Sequence, residues 1–274
     1  MASQENFSMV KTGYDDSDLC PKNAWKRGDL GMVLGKGLIA RAFAKYWERD
    51  PDVAVIAAGV SNSAEVDEGQ FSRERRMLEG VLAARSARVV YFSSCAAGNP
   101  LELQSAYLKH KIEMERLVLT DPRGLVLRLP QVVGRGGNPH TLTNFLAQKI
   151  NSGEAFEVWA DAERNIVDVE DVAIIGTQAI RWAEQLPRVI SIADLESTNM
   201  LTIVHMMEKV LGKCGRYTVS QKGTPFPIDT SVCATLEAEC RVPLGSGYLY
   251  GVLETYYGNS SPGRNTPLEH RRGN

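Results

Sequence analysis

The chain has 274 residues, 43% of them hydrophobic and 23% charged, which is enough for one large domain with a sizeable core, or one domain with a smaller lobe. Lys plus Arg number 31 and Asp plus Glu 33, a formal net charge of -2 that excludes the strongly basic surface of a nucleic-acid binder or a polybasic membrane patch. No apolar run approaches a membrane span, and five cysteines without a C-x-x-C pair (Cys20, Cys95, Cys214, Cys233, Cys240) fit a reduced, cytoplasmic chain.

Residues 1–28 are polar, without periodicity and without the apolar core of a secretory signal, and read as a loose tail or surface-lying arm. "DLGMVLGKGLIARAFAKYWERD" then runs from a short apolar strand into a helix, and "DVAVIAAG" is a second buried strand. "EGQFSRERRMLEGVLAARS" is an amphipathic helix whose Phe71, Met77, Leu78 and Leu82 make one apolar stripe. "RVVYFSS" is a third strand, "SAYLKHKIEMERL" a helix, and "GLVLRLP" a fourth strand ended by Pro130. Beyond it come a helix in "LTNFLAQKI", a strand in "EAFEVWA", a helix in "VEDVAIIGTQAIRWAEQL", a strand in "RVISIA", a helix in "TNMLTIVHMMEKVLGK" and a less regular tail. The strands are continuous apolar runs alternating with helices, which predicts an α/β chain with a parallel sheet covered on both faces. The reading divides the chain into the tail, residues 1–28, an α/β core over 29–135, and a mixed region over 136–274 that completes the core and forms a smaller C-terminal lobe.

Gly35, Gly37 and Ala40 form G-x-G-x-x-A directly after a strand and at the opening of a helix. Glycines there let the backbone turn tightly and approach a pyrophosphate seated on the helix N-terminus. An acidic residue for the ribose hydroxyls is expected about 20 residues later, but that distance falls inside "VAVIAAGV", which has no acid, and Asp50 and Asp52 precede the strand. The second strand arrives too soon for a full strand-helix-strand unit, so one or two strand-helix units are missing. Tyr107 and Lys111, four residues apart, share a helix face. By itself this spacing is a weak signal, because two common residues meet at it often by chance.

Taken in order, "VLGKGLIA", "VIAAGVSNS", "VVYFSS", "YLKHK", "RLPQVVGRGGNP" and "RNIVDVEDVA" resemble the extended short-chain dehydrogenase/reductase family, the NAD-dependent epimerases and dehydratases of nucleotide sugars. The resemblance covers about residues 30–180 and implies a Rossmann-like parallel sheet with helices on both faces, shortened here, plus a small C-terminal substrate lobe. It implies catalytic roles for Ser94, Tyr107 and Lys111. A lysine ammonium beside a phenol favours the phenolate, so that Tyr107 could exchange a proton with a substrate hydroxyl. Lys111 would also reach the nicotinamide ribose. NAD or NADP would lie against Gly35, Gly37, Leu38, Ile39, Ala57, Ala58, Gly59, Lys111 and Pro130. Two features depart from the family pattern. The Ser94-to-Tyr107 segment is short, and Cys95 and Ala96 stand where sugar 4,6-dehydratases carry Asp-Glu, which argues against water elimination. Cys95 itself reads as a small buried cysteine.

Ser61, Asn62 and Ser63 follow the second strand at its C-terminal end, where open parallel sheets bind ligands. Gln131, Asn138, His140, Thr141 and Asn144 match the family segment that passes the nicotinamide and lines the sugar-nucleotide pocket, and Arg164 matches one that meets phosphates. His140 has no second ligand at metal spacing, and no metal site is expected. Asp168 and Asp171 read as loop-positioning and helix-capping residues, and Arg73, Arg75 and Arg76 as a solvated helix face. The expected protein is a cytoplasmic homodimer, an NAD(P)-dependent oxidoreductase or epimerase of a nucleotide-linked sugar. The alternative is a non-redox protein of the same fold: a metabolite binder, or an isomerase or lyase reusing Ser-Tyr-Lys.

Overall fold

A computed structural model of the chain describes residues 32–84, 88–99, 105–136 and 141–258. The expectations for the N-terminal tail, Asn138 and His140 lie outside the described residues. The first half holds β1 (Met32–Leu34), α1 (Leu38–Trp47), β2 (Val53–Ile56), α2 (Glu68–Ala84), β3 (Arg88–Ser94), a short 3-10 helix (Cys95–Gly98), α3 (Ala106–Leu119) and β4 (Gly124–Leu129). Next come β5 (Gln131–Val133), α4 (Leu142–Ser152), β6 (Ala155–Trp159), β7 (Glu163–Arg164), β8 (Ile166–Asp168), α5 (Val169–Arg181) and β9 (Val189–Ser191). The chain then forms β10 (Thr198–Asn199), α6 (Met200–Leu211), β11 (Arg216–Ser220), α7 (Ser231–Cys240) and α8 (Tyr248–Tyr257). The stretch after residue 213, expected to be less regular, therefore carries one strand and two helices. Each of those helices buries only a few side chains, such as Cys233 and Leu236, which leaves little periodicity to read.

The main sheet has five parallel strands in the order β1-β2-β3-β4-β9. Alternate residues of a strand point to opposite faces. On one face Val53, Val55, Val90 and Phe92 pack with Phe43 and Trp47 of α1 and with Val172 and Ile175 of α5. On the other, Ala54, Ile56, Val89 and Tyr91 pack with Leu78 and Val81 of α2 and with Met114 and Val118 of α3. This is the Rossmann-like parallel arrangement expected from the apolar runs, with helices on both faces. The stripe read on α2 is inward as expected, with Leu78 and Phe71 buried and Met77 and Leu82 partly so.

The shortening has a definite form. A doubly wound sheet places its first strand centrally, in the order 3-2-1-4-5-6. Here β1 is an edge strand among the described residues, so the half-sheet that would lie beyond it is what the shortening removes. The steps β1 to β2 and β2 to β3 run the same way along the sheet, yet α1 and α2 cover opposite faces. Those two crossovers therefore have opposite hands, whereas parallel crossovers are right-handed in about 98% of cases. The connections after β1 and β2 part to opposite sides. Connections that part in this way set a crevice between them at the carboxyl ends of these two strands, as at a topological switch point, although among the described residues the strand order does not reverse.

The remaining strands make three small pairs: β5 with β8, β6 with β11, and β7 with β10. The β5–β8 pair was not legible in the sequence, because each strand is only three residues long.

Candidate active site

The glycine turn forms one wall of the crevice. Gly35 has φ +127°, and a Cβ there would stand 2.4 Å from the Ala57 carbonyl oxygen, so a side chain is excluded. The Ala57 N–H donates to the Leu34 carbonyl at 2.7 Å, which seals the turn against the end of β2. At Gly37 a Cβ would meet nothing within 4 Å. The glycine there clears space above the start of α1 instead of relieving a clash. No side chain caps α1, so its first backbone N–H groups, at Leu38 and Ile39, face an anion-binding position. These features fit the pyrophosphate of a dinucleotide. Leu38 also supports the second wall: a Cβ at Gly134 would lie 2.7 Å from both Leu38 and Val169, and Arg41 donates to the Lys36, Arg135 and Gly136 carbonyls. The loop after β5 is thereby held on the glycine-turn helix. Gln131, at the head of that loop, has a buried Oε1 without a hydrogen-bond partner among the described residues, an acceptor suited to an incoming donor. Pro130 is half-buried beside it.

Ser94 ends β3 and accepts the Ala96 N–H at 3.2 Å. Ser105 caps α3 by accepting the Leu108 N–H, which sets Tyr107 in the first turn. The Ser94 hydroxyl lies near enough to the Tyr107 phenol to favour its charged form. Tyr107, 9% exposed, packs with Val60, Phe71 and Leu108, so it abuts the loop that continues from Ala57, Ala58 and Gly59. Ser94 and Tyr107 are thus brought together next to the crevice.

Lys111 stands differently from the expectation. It is 3% exposed, and its Nζ donates to Glu74 Oε1 and to the Tyr91 hydroxyl, both at 3.0 Å. Glu74, on α2, is 0% exposed and accepts three further hydrogen bonds: from the Tyr91 hydroxyl at 2.7 Å, the Val60 N–H at 2.7 Å and His110 at 3.1 Å. Burial opposes the charge on Glu74, but the His110 bond, the Lys111 ammonium, the Val60 N–H and Tyr91 together hold its carboxyl down at about 2. The Lys111 ammonium lies 5.8 Å from the Tyr107 ring centre. Burial, followed by the Glu74 charge, pushes the Tyr107 phenol up to about 12, with the nearby Ser94 hydroxyl only partly opposing. The expected lowering of the phenol by Lys111 is therefore corrected, because the lysine's charge is already matched by a carboxylate. Lys111 is also enclosed and does not stand free to meet a ribose.

The sequence reading missed Glu74, Tyr91 and His110. Glu74 sits between Phe71 and Leu78 on the buried stripe, so its place in the helix period was the signal available. Arg73, read as part of a solvated face, instead reaches the Ala58 carbonyl at 3.5 Å.

The remaining candidates are held in other contacts. Ser61, Asn62 and Ser63 are exposed, and Asn62 accepts the Ala64 N–H as a turn cap. Asn144 accepts from the Tyr257 hydroxyl, and Thr141, the residue before α4, lies 3.5 Å from Thr143 through its hydroxyl. Arg164 donates to the Glu163 carbonyl, on the strand paired with β10. Asp168 caps α5 through the Glu170 N–H, and Asp171 accepts from Tyr248, as expected of positioning residues. Cys95 is buried, and burial drives its thiol to about 12, well away from reactivity. Among the described residues no group of His, Cys, Asp and Glu could hold a metal ion, and no helix is long and apolar enough to cross a membrane.

No protein of curated function matches the sequence. Solved structures share the fold at low identity. UDP-glucuronic acid 4-epimerase from Bacillus cereus, in complex with UDP-glucuronic acid and NAD, is 17% identical with a TM-score of 0.60, over 82% of this chain and 78% of that one. A dTDP-4-dehydrorhamnose reductase from Clostridium acetobutylicum is 14% identical with a TM-score of 0.61, over 75% and 80%. A dTDP-glucose 4,6-dehydratase from Bacillus anthracis in complex with NAD is 16% identical with a TM-score of 0.60, over 81% and 77%. The family model described as NAD dependent epimerase/dehydratase matches residues 16–193, from before the glycine turn to the end of the main sheet. With that match over most of its length, the chain belongs to the NAD-dependent epimerase/dehydratase family.

Proposed function

We propose that the protein is an NAD(P)-dependent oxidoreductase or epimerase acting on a nucleotide-linked sugar, or a related hydroxyl or keto substrate, at a site centred on Ser94 and Tyr107. The observation that carries this reading is the Ser94–Tyr107 hydroxyl pair beside a crevice whose opposite wall offers the uncapped start of α1. Family membership and the nucleotide-sugar and NAD ligands named for the related folds support it. The nicotinamide group, when bound, would accept or supply the hydride. Leu38 and Ile39 N–H groups would hold the pyrophosphate over Gly35 and Gly37, and the Ala57–Gly59 backbone and Pro130 would flank the cofactor.

Tyr107 is protonated across the neutral range, because its phenol lies near 12. It is therefore built to give a proton to a carbonyl oxygen undergoing reduction and to recover one when the reaction runs back. Ser94, beside the phenol, can hold the same substrate oxygen. Cys95 and Ala96 supply no carboxylate for water elimination, which favours reductase or epimerase over dehydratase. A homodimer through the helix that carries Tyr107 belongs to the same proposal.

A second reading, a non-redox protein of this fold, is favoured by two observations: Lys111 is tied to Glu74, and the half-sheet beyond β1 is missing among the described residues. Mass spectrometry of ligands released from the purified protein, and calorimetry with NAD, NADH, NADP and NADPH, separate the two. Binding of one nicotinamide form supports the first reading, and no binding at millimolar ligand supports the second. Tyr107→Phe is expected to slow turnover roughly 10²–10⁴-fold. More than half the parent's turnover in that variant would end the catalytic assignment.

A further inference from the structure

We propose that Glu74 is a positioning residue of the Ser94–Tyr107 site: its carboxylate claims the Lys111 ammonium and anchors the Gly59–Val60 turn, so that Lys111 stands beside Tyr107 as a neutralised neighbour instead of a free cation. The proposal rests on the catalytic reading of Tyr107 given above.

The geometry argues against a merely incidental ion pair. Four groups from three different parts of the fold converge on one carboxylate. They are Lys111 and His110 from α3, Tyr91 from β3, and the Val60 N–H from the crevice loop. A Cβ at Gly59 would come 2.4 Å from Glu74 Oε1 and 3.0 Å from Lys111 Nζ, so the crevice backbone lies directly on the pair. His110 is fixed in turn by stacking on Phe71, with ring centres 4.5 Å apart. Full burial of an ion is tolerated only when its lone pairs and protons are matched, and Glu74 has four donors for its two oxygens.

Among the described residues the groups that bear on Tyr107 are Glu74 from α2, Tyr91 and Ser94 from β3, and Lys111 from its own helix, while His110 of that helix is bonded to Glu74. Glu115, further along α3, is taken up by both nitrogens of the Arg128 fork. Of these, Glu74 is the charge that raises the phenol, and it also occupies the cation that would lower it. Both effects disappear together when the carboxylate is removed. A site arranged in this way works through a tyrosine that keeps its proton.

The experiment is a difference titration of the Tyr107 phenolate absorbance, each protein against its own Tyr107→Phe partner, by rapid pH jump. It is run on the parent chain, Glu74→Gln and Glu74→Asp. Glu74→Gln should lower the Tyr107 titration by about one unit or more, a tenfold rise in the phenolate-to-phenol ratio at fixed pH. Glu74→Asp, which withdraws the carboxylate from Lys111, should give a smaller fall and serves where the Gln variant does not fold. A Tyr107 titration unchanged in a folded Gln or Asp variant would overturn the proposal, because a purely structural glutamate would leave the phenol where it was. The readout needs neither substrate nor cofactor. A lowered titration alongside full turnover in Tyr107→Phe would uphold the role of Glu74 toward Tyr107 while sinking the catalytic reading.

Discussion

The two faces of the main sheet are held by different physics. Under α1 and α5 the interior is apolar apart from the buried hydrogen bond of Trp47 to Thr177, from Phe43 against Phe92 (ring centres 4.9 Å apart) to Ile175 and Ile190. Under α2 and α3 an equally tight interior of Leu78, Met114 and Val126 gives way, toward the crevice, to the Glu74–Lys111–His110–Tyr91 network. Apolar packing is non-directional and roughly proportional to buried area. A buried ion network is directional, and each member left without its partner costs several kcal/mol. The face that adjoins Tyr107 is therefore the one whose geometry is set most narrowly.

Four substitutions test that contrast, in descending size of effect. On the apolar face Phe43→Ala should cost about 3–5 kcal/mol in urea unfolding, through lost transfer energy and the cavity left beside Phe92. On the other face Lys111→Met should cost a comparable amount, about 3–5 kcal/mol, by leaving the Glu74 carboxylate buried and unpaired. The double variant Glu74→Gln with Lys111→Met should recover most of that loss. If the double is as unstable as the single, the face is held by packing alone and the contrast fails.

An acid series sharpens the comparison. The Glu74 carboxyl sits at about 2, below its ordinary 4.5. Its contribution to stability is thus fully present above about 4.5 and is lost as the pH falls from there toward 2. The urea midpoint of the parent should fall more between pH 5 and pH 2.5 than that of the double variant, and equal falls would remove Glu74 from the account. The smallest effect is expected outside both faces. Lys45→Ala breaks a 2.5 Å pair with Glu170 whose side chains are 54% and 49% exposed, and should change stability by less than about 1 kcal/mol.

Much of the fold could be read from the chain because its signals are local. The runs "VAVI", "RVVYFSS" and "GLVLRL" are strands in the structure, and the stripe around Leu78 faces inward. Gly35 was marked by the turn and proves to be the position where any side chain would strike Ala57. Short elements were not legible. β7 and β10 are two residues each, and β5 and β8 exist only because they pair. Less of the candidate site was legible. Ser94 ends β3 and Tyr107 sits in the first turn of α3, but the Lys111 ammonium, expected to serve Tyr107 four residues away, is bonded to Glu74, 37 residues away in sequence.

The sequence by itself determined the alternation of strand and helix, the glycine turn with its uncapped helix start, and the order of motifs that marks the family, since periodicity and turn stereochemistry act within a few residues. Only the tertiary structure decided that α1 and α2 cover opposite faces while the strands step one way, that β1 stands at an edge among the described residues, and that Lys111 belongs to Glu74. Those outcomes depend on how whole helices rotate and dock. A glutamate on an inward stripe has no fixed meaning until the opposing helix presents, or fails to present, a cation to it.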